Sequence, residues 1–366
     1  MSGTVGEGIL PSQEIRALYE SGAIEADRPL VEGQIQPASL DLRLGRRVWR
    51  LRASFLPGQS HKVRERLERV ALHEIDLTNG AVLETGAVYI AECLESLALP
   101  KSLPASANPK SSTGRLDVFT RLIADHAREF DQIEAGYRGP LYLEISPRTF
   151  PVLVRTGSRL SQIRFRRGAP RLDDDALRLL HKRDPLVTSS EPSIQNGIAV
   201  SVDLSGFGDT KLVGYRARRH TALVDVDRVG ACAVEDYWDP LYANAARDLI
   251  LDPGQFYILA SKEAVQVPPD HAAEMTPFDP LVGEFRVHYA GFFDPGFGHA
   301  ESGGSGSRAV LEVRSRDVPF IIEDGQTVGR LVYEKMAAGP DILYGKGVGS
   351  NYQAQGLKLS KHFKAG

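Results

Sequence analysis

The stretch "NPKSSTGRLDVF" (Asn108–Phe119) brings together groups suited to holding phosphate oxygens. Lys110 supplies a charge, Ser111 and Ser112 short hydroxyls, Gly114 a permissive backbone, and Arg115 a fixed fork of donors. The same composition fits a polar surface turn, so the stretch alone does not define a site. A second candidate is "AGFFDPGFG" (Ala290–Gly298), followed after "HAESGGSGS" by "RAVLEVRS", which contains Glu312. An Asp-Pro-Gly turn would join two strands as a hairpin. Alternation along the second strand would then set Glu312 on the face opposite Leu311 and Val313. A carboxyl in partly apolar surroundings has a raised pKa and suits general acid/base work; a solvated strand glutamate is the plainer alternative.

Other residues carry less. In the tail "YGKGVGSNYQAQGLKLSKHF", Tyr344, Tyr352 and Gln355 have groups that stack and hydrogen-bond on a ligand, though a frayed terminus has the same composition. His61, His73, His126, His181 and His220 stand alone, and His288 and His299 flank the Asp-Pro-Gly turn, without metal-ligand spacing. The basic run "RLGRRVWRLR" alternates with apolar residues, which suits an exposed strand face better than a nucleic-acid patch. Cys93 and Cys232 are solitary, which excludes a disulfide framework and a CxxC zinc site.

The elements that must position these residues are written twice. "GAVYIAECLESLALPKSL" from Gly86 precedes "GQFYILASKEAVQVPPDH" from Gly254 by 168 positions, with Gly, Tyr-Ile, Glu and Pro in register. "FPVLVRTGSRLSQIRF" from Phe150 and "VPFIIEDGQTVGRLVY" from Val318 keep the same spacing, and "ASLDLRLG" resembles "VSVDLSGFG" at 162. Three blocks in one order predict a tandem duplication with its boundary near residue 171. Each copy opens with a predicted helix: Ser12 caps one that carries Ile15, Leu18 and Tyr19 and stops at Gly22, and Asp173–Asp175 begin one that carries Leu177 and Leu180. Short strands bounded by Gly and Pro follow, such as "AVYIAECLESLALP", "GPLYLEISP" and "PVLVRTGSRLSQIRF". The predicted class is mainly β: two barrels or sandwiches, residues 1–171 and 172–366, each with a small helical entry.

Composition is that of an ordinary globular chain, 42% hydrophobic and 25% charged over 366 residues. The net charge of -3 is too small to argue for nucleic acid. No signal peptide or 18-residue apolar run occurs, so a cytoplasmic protein with no membrane partner is expected.

Taken in order, "IQPASLDLRLG", the Ser-Ser-x-x-Arg loop, the DPG turn, "VLE" and "YQAQG" resemble the dCTP deaminases, relatives of the dUTPases, over almost the whole chain but in two copies. The resemblance implies two tandem dUTPase-like β-barrels and hydrolytic deamination of dCTP to dUTP and ammonia. It implies no zinc, which agrees with the missing H-x-E and P-C-x-x-C signature, and magnesium accompanying the triphosphate. It assigns Glu312 to activating water for attack at C4. Ser111 and Arg115, with Lys110 and Ser112 beside them, map onto the phosphate loop. Ala290 helps hold the water by its backbone, Asp294 lies near the deoxyribose, Val310 and Leu311 flank the nucleotide, and Tyr344 and Gln355 reach the triphosphate. The family's sites form between subunits, so a homo-oligomer is expected.

The copies depart from the family in complementary ways. At the 168 spacing, Ser111, Ser112 and Arg115 correspond to Asp279, Pro280 and Gly283, while Glu144, the counterpart of Glu312, follows a turn without Asp-Pro-Gly. The expectation is a composite site, with the phosphate loop from copy one and the turn, glutamate and tail from copy two. Asn351 replaces a lysine usual in the family, and Lys346 is a possible substitute. The alternatives are a dUTPase, a bifunctional dCTP deaminase–dUTPase, and a nucleotide-binding protein without turnover. "AGYRG" around Tyr137 resembles the dUTPase hairpin, but the aspartate expected before it and a terminal Gly-Phe-Gly-Ser are missing.

Overall fold

The computed structural model describes residues 6–277, the backbone strand 285–287, and residues 291–315, 317–345 and 356–364. The N-terminal half is a nearly closed barrel. Its strands run in the order Val118–Ala124, Arg138–Pro147, Val88–Ala98, Leu40–Leu51, Arg159–Arg167, Ala105–Pro109 and Gln132–Ile133. The C-terminal half holds a four-stranded and a five-stranded sheet. Thr327–Lys335 is central in the first, and Phe256–Val265 pairs Ser307–Ser315 in the second. Among the described residues no helix is long and apolar enough to cross a membrane.

Both helical entries form. Ser12–Glu20 buries Ile15 and ends before Gly22, whose φ of 75° suits a residue without a Cβ. Pro11 rather than Ser12 holds the N-cap position, and the Ser12 hydroxyl donates to the Asp341 carboxylate instead. Asp174–Arg183 begins as the acidic run predicts, with Asp173 Oδ1 accepting the Ala176 N–H at 2.8 Å. The helix Val63–Val70 lies outside the sequence reading, although Val63, Leu67 and Val70 carry a helical spacing that could have shown it. Of the basic run, Arg46 is exposed, but Arg43 is buried in an ion pair with Glu95 at 2.7 Å.

The 168-residue spacing recurs in the strand ladders. Glu144 faces Ile90 and Glu312 faces Ile258 in antiparallel pairs, while Arg159–Arg167 and Thr327–Lys335 begin and end at positions 168 apart. The 162 spacing does not hold: Gln162 pairs Asp41, and at the same rung Arg330 pairs Ala199, not Asp203. The resemblance of "SLDL" to "SVDL" is thus local, because the second strand is entered earlier by about one helical turn's worth of residues.

Two features fuse the halves. Val152–Val154 pairs Ala81–Leu83 on one side and Val224–Asp225 on the other. One apolar core draws Leu44, Leu143, Phe150 and Leu160 from the first half, and Trp238, Phe256, Ile258, Leu359 and Phe363 from the second. Phe363 meets Trp238 at 5.8 Å and Phe150 at 6.3 Å, edge to face, so the C-terminal segment is part of that core.

Candidate active site

The phosphate-loop candidate is no surface turn. Ser111–Gly114 forms one helical turn after strand Ala105–Pro109, with the Thr113 and Gly114 N–H groups donating to the Lys110 carbonyl at 2.8 and 3.0 Å. Ser112, Thr113, Gly114 and Arg115 are buried. The Lys110 ammonium donates to Asp41, a buried carboxylate that Arg159 also approaches at 3.3 Å. Asp41 comes from the "SLDLRLG" stretch, so that motif orients the lysine of the loop.

Glu312 sits in strand Ser307–Ser315 and is 5% exposed, which rules out a solvated carboxylate. Alternation works as expected. Leu311 and Val313 turn into the core of the C-terminal half, while Val310 and Glu312 face the other way, toward the first half. Burial pushes the Glu312 carboxyl up to about 7, and the Arg115 guanidinium, with Nε 3.9 Å from Oε1, restrains the rise. A carboxyl with a pKa near neutrality can take a proton and return it within one turnover.

The Asp-Pro-Gly turn forms, with the Phe297 N–H donating to the Asp294 carbonyl at 3.1 Å. Gly296 has φ 93°, and a Cβ there would lie 2.4 Å from Ser302 Oγ, so the turn needs glycine twice over. The expected two-stranded hairpin does not form. Phe292–Phe293 pairs with His271–Pro277, whereas the Glu312 strand pairs with Phe256–Val265 and Phe285–Val287. The insertion after Gly298 gives the chain enough length to pass from one sheet to the other.

These parts enclose one cavity, lined by Lys110, Ser111 and Arg115 from the first half and by Asp294, Phe297, Val310, Glu312 and Tyr344 from the second. Pro109, Met275, Gly291, Phe292 and Phe293 complete the wall. Tyr344 packs on Phe297 at 5.5 Å and donates its N–H to the Pro295 carbonyl at 2.9 Å, so it braces the turn. Leu311 does not reach the cavity, because its side chain lies in the core behind the strand. Ser112 is absent from the lining as well; its carbonyl accepts a bond from Ser360 Oγ at 2.8 Å. Ala290 and Gln355, like Tyr352, Asn351 and Lys346, lie outside the described residues.

Sequence reading missed the parts that hold the cavity's two sides in place. Arg314, two residues after Glu312 and so on the same face, is ion-paired with Asp117, two residues after Arg115. Thr149 joins them, its Oγ1 donating to Asp117 Oδ2 at 2.5 Å and accepting from Arg314 Nη2 at 2.8 Å. From the tail, the Lys358 carbonyl accepts from Arg115 Nη1 at 2.9 Å. Ser360 also lies 2.9 Å from His362 Nδ1, and the other ring nitrogen meets the Val226 carbonyl at 2.9 Å. No spacing in the sequence links these pairs.

Glu144 has a different setting. Its Oε1 accepts from Arg121 Nε at 3.0 Å and its Oε2 from Ser54 Oγ at 2.5 Å, and Arg121 stacks on Phe130 at 3.6 Å. The carboxylate is bound up in a local ion pair. At the 168 spacing the sequence has Tyr289 in place of Arg121. Among the described residues no group of three His, Cys, Asp or Glu side chains is placed to hold a metal ion.

Comparison with known proteins shows the family. Residues 6–169 match the model of the 2'-deoxycytidine 5'-triphosphate deaminase (DCD) N-terminal domain, and residues 173–363 that of the C-terminal domain. A crystal structure of 2'-deoxycytidine 5'-triphosphate deaminase from Agrobacterium tumefaciens is 62% identical, with a TM-score of 0.87, covering 90% of this chain and 99% of that one. Two curated relatives named "dCTP deaminase, dUMP-forming" align over less of the chain. The one from Beutenbergia cavernae is 30% identical over 43% of this chain and 78% of its own length. The one from Parafrankia sp. is 32% identical over 42% and 74%. With both of its halves matched and the carboxylate and arginine facing each other across them, the chain belongs to the 2'-deoxycytidine 5'-triphosphate deaminase family.

Proposed function

We propose that the chain hydrolyses dCTP to dUTP and ammonia at a single composite site made by both halves of the molecule. The observation that carries this reading is the buried Glu312 carboxyl, raised to about 7, beside Arg115 in the shared cavity. Glu312, as carboxylate, takes a proton from water; the hydroxide adds to C4 of cytosine, and the proton passes to N3. Collapse of the tetrahedral adduct expels ammonia, with Glu312 again carrying the proton from oxygen to the leaving amine. Arg115 counters the charge on Glu312 between these steps. Ser111 and Lys110 sit at the phosphate side of the cavity, and Asp294 and Val310 at the nucleoside side.

The chain reads as two tandem dUTPase-like barrels, 1–171 and 172–366, that divided one ancestral site between them. Supporting this are the shared 168-residue register and the loss of Ser-Ser-x-x-Arg from the second copy. Magnesium would arrive on the triphosphate. The loop side of the cavity is cationic and its nearest carboxylate, Asp41, is taken by Lys110 and Arg159, so phosphate oxygens rather than side chains would hold the ion. Assembly of whole chains into a homo-oligomer in the cytoplasm completes the reading.

A second reading is further hydrolysis to dUMP, favoured by the names of the 30–32% identical relatives. Product analysis separates the two. With dCTP and magnesium, the expected products are ammonia and dUTP in equal amounts with no pyrophosphate. Stoichiometric pyrophosphate and dUMP would establish the second reading, and tight dCTP binding without ammonia would overturn both.

A further inference from the structure

Arg164 belongs to strand Arg159–Arg167 of the N-terminal half, yet its side chain, 1% exposed, is spent entirely on the C-terminal half. Its guanidinium lies 4.0 Å from the centre of the Phe292 ring. Nη1 donates to the Ala273 carbonyl at 3.2 Å and Nη2 to the Phe293 carbonyl at 3.4 Å. Asp294 Oδ1 stands 3.5 Å away and Glu334 Oε2 3.7 Å. Three of these partners, Phe292, Phe293 and Asp294, line the active-site cavity on the approach to the Asp-Pro-Gly turn. At the 168 spacing the second half has Val332, so the arginine is a feature of one copy only.

A guanidinium removed from water persists only where partners compensate it, and here three of the five, Phe292, Phe293 and Asp294, come from the segment that shapes the nucleoside side of the cavity. A planar fork can hold two carbonyls and two carboxylates while stacking on a ring; an ammonium cannot. We propose that Arg164 is the positioning residue for sugar recognition, fixing the Asp294 carboxylate and the Phe292 ring against the substrate. The inference rests on the reading of Asp294 as the sugar contact. In dCTP the 5' oxygen is esterified and the 2' carbon carries no oxygen, so the 3'-hydroxyl is the one sugar donor a carboxylate can accept from. The charged groups that face Asp294 are Arg164, Lys110 from the phosphate loop and Asp41 from strand Leu40–Leu51. Burial pushes the Asp294 carboxyl up and the two cations oppose it, so Arg164, the larger of the two opposing influences, favours its ionised form.

The test compares ammonia release from dCTP and from 2',3'-dideoxycytidine triphosphate, which lacks the 3'-hydroxyl, in the native chain and in Arg164→Met, Arg164→Lys and Asp294→Ala. Arg164→Met is expected to raise the KM for dCTP about 10- to 100-fold, the loss of a charge-assisted contact, with kcat falling far less. Its preference for dCTP over the dideoxy probe should collapse toward that of Asp294→Ala, and its KM should rise further as the pH is lowered. Arg164→Lys should fall between. If Asp294→Ala loses the preference while Arg164→Met keeps it, the inference is overturned and the role of Asp294 stands. If Asp294→Ala keeps the preference, that role fails and the inference with it. Should Arg164→Met not fold, Arg164→Lys decides, and a native KM and preference there would overturn the proposal.

Discussion

Arg115 Nε stands 3.9 Å from Glu312 Oε1, and the two residues come from opposite halves of the chain. That distance is too long for a hydrogen bond but short enough for the charge to be felt in a buried site. The arginine thereby tunes the glutamate through its charge, without donating a hydrogen bond to it. The counterpart pair of the first half is closer, with Arg121 Nε donating to Glu144 Oε1 at 3.0 Å.

The acid limb of kcat/KM for dCTP should therefore rise through about pH 7, where the free enzyme's Glu312 loses its proton. Arg115→Met removes the restraint on the carboxyl and should move the limb to higher pH, beyond its effect on binding. An acid limb unchanged in position in the variant would remove Arg115 from this role.

Stability should carry the same signature. The Glu312 carboxyl binds its proton up to about 7 when folded and only to its ordinary 4.5 when unfolded. The folded chain thus holds more protons between these values, and its stability falls as pH rises through them. Glu312→Gln should gain on the native chain across that window, by on the order of 3 kcal/mol at most. Denaturant titrations at pH 5 and pH 8 measure it, and an equal difference at both would contradict the buried acid.

The Asp117–Arg314 ion pair ties the loop of Arg115 to the strand of Glu312. Arg314→Met removes a guanidinium from the buried Asp117 carboxylate, and should cost about 3–5 kcal/mol. Its kcat should drop while KM for dCTP changes less, because the pair sets the separation of the reacting groups and not the grip on the nucleotide. A large loss in KM alone would point to a different function for the pair.

Much of this was legible in the sequence. The short strands, both entry helices, the turn at Gly296 and the two-sided strand of Glu312 follow from alternation, capping residues and turn chemistry, all of them local signals. The complementary loss of motifs pointed to one cavity shared by the halves, and the cavity does hold Ser111, Arg115 and Glu312 together. What stayed hidden were pairs with no sequence relationship: Asp117 with Arg314, Lys358 with Arg115, Asp41 with Lys110. The resemblance places Leu311 beside the nucleotide, but a period of two sends its side chain to the face opposite Glu312.

The C-terminal segment predicts a remote effect. Phe363 fills the core common to both halves, and three residues of chain before it Ser360 bonds the Ser112 carbonyl. Phe363→Ala should cost about 3 kcal/mol or more and weaken dCTP turnover by releasing the Lys358 carbonyl from Arg115. Thermal unfolding and kcat/KM measured together test this; a stable variant with native turnover would show that the segment does not position the arginine.

Of the two counterpart glutamates, Glu312 does the chemistry and Glu144 does not. Ammonia release from dCTP with magnesium should be abolished in Glu312→Gln and largely retained in Glu144→Gln, whose carboxylate serves the ion pair with Arg121 and the bond from Ser54. Loss of activity in Glu144→Gln with turnover preserved in Glu312→Gln would contradict the account.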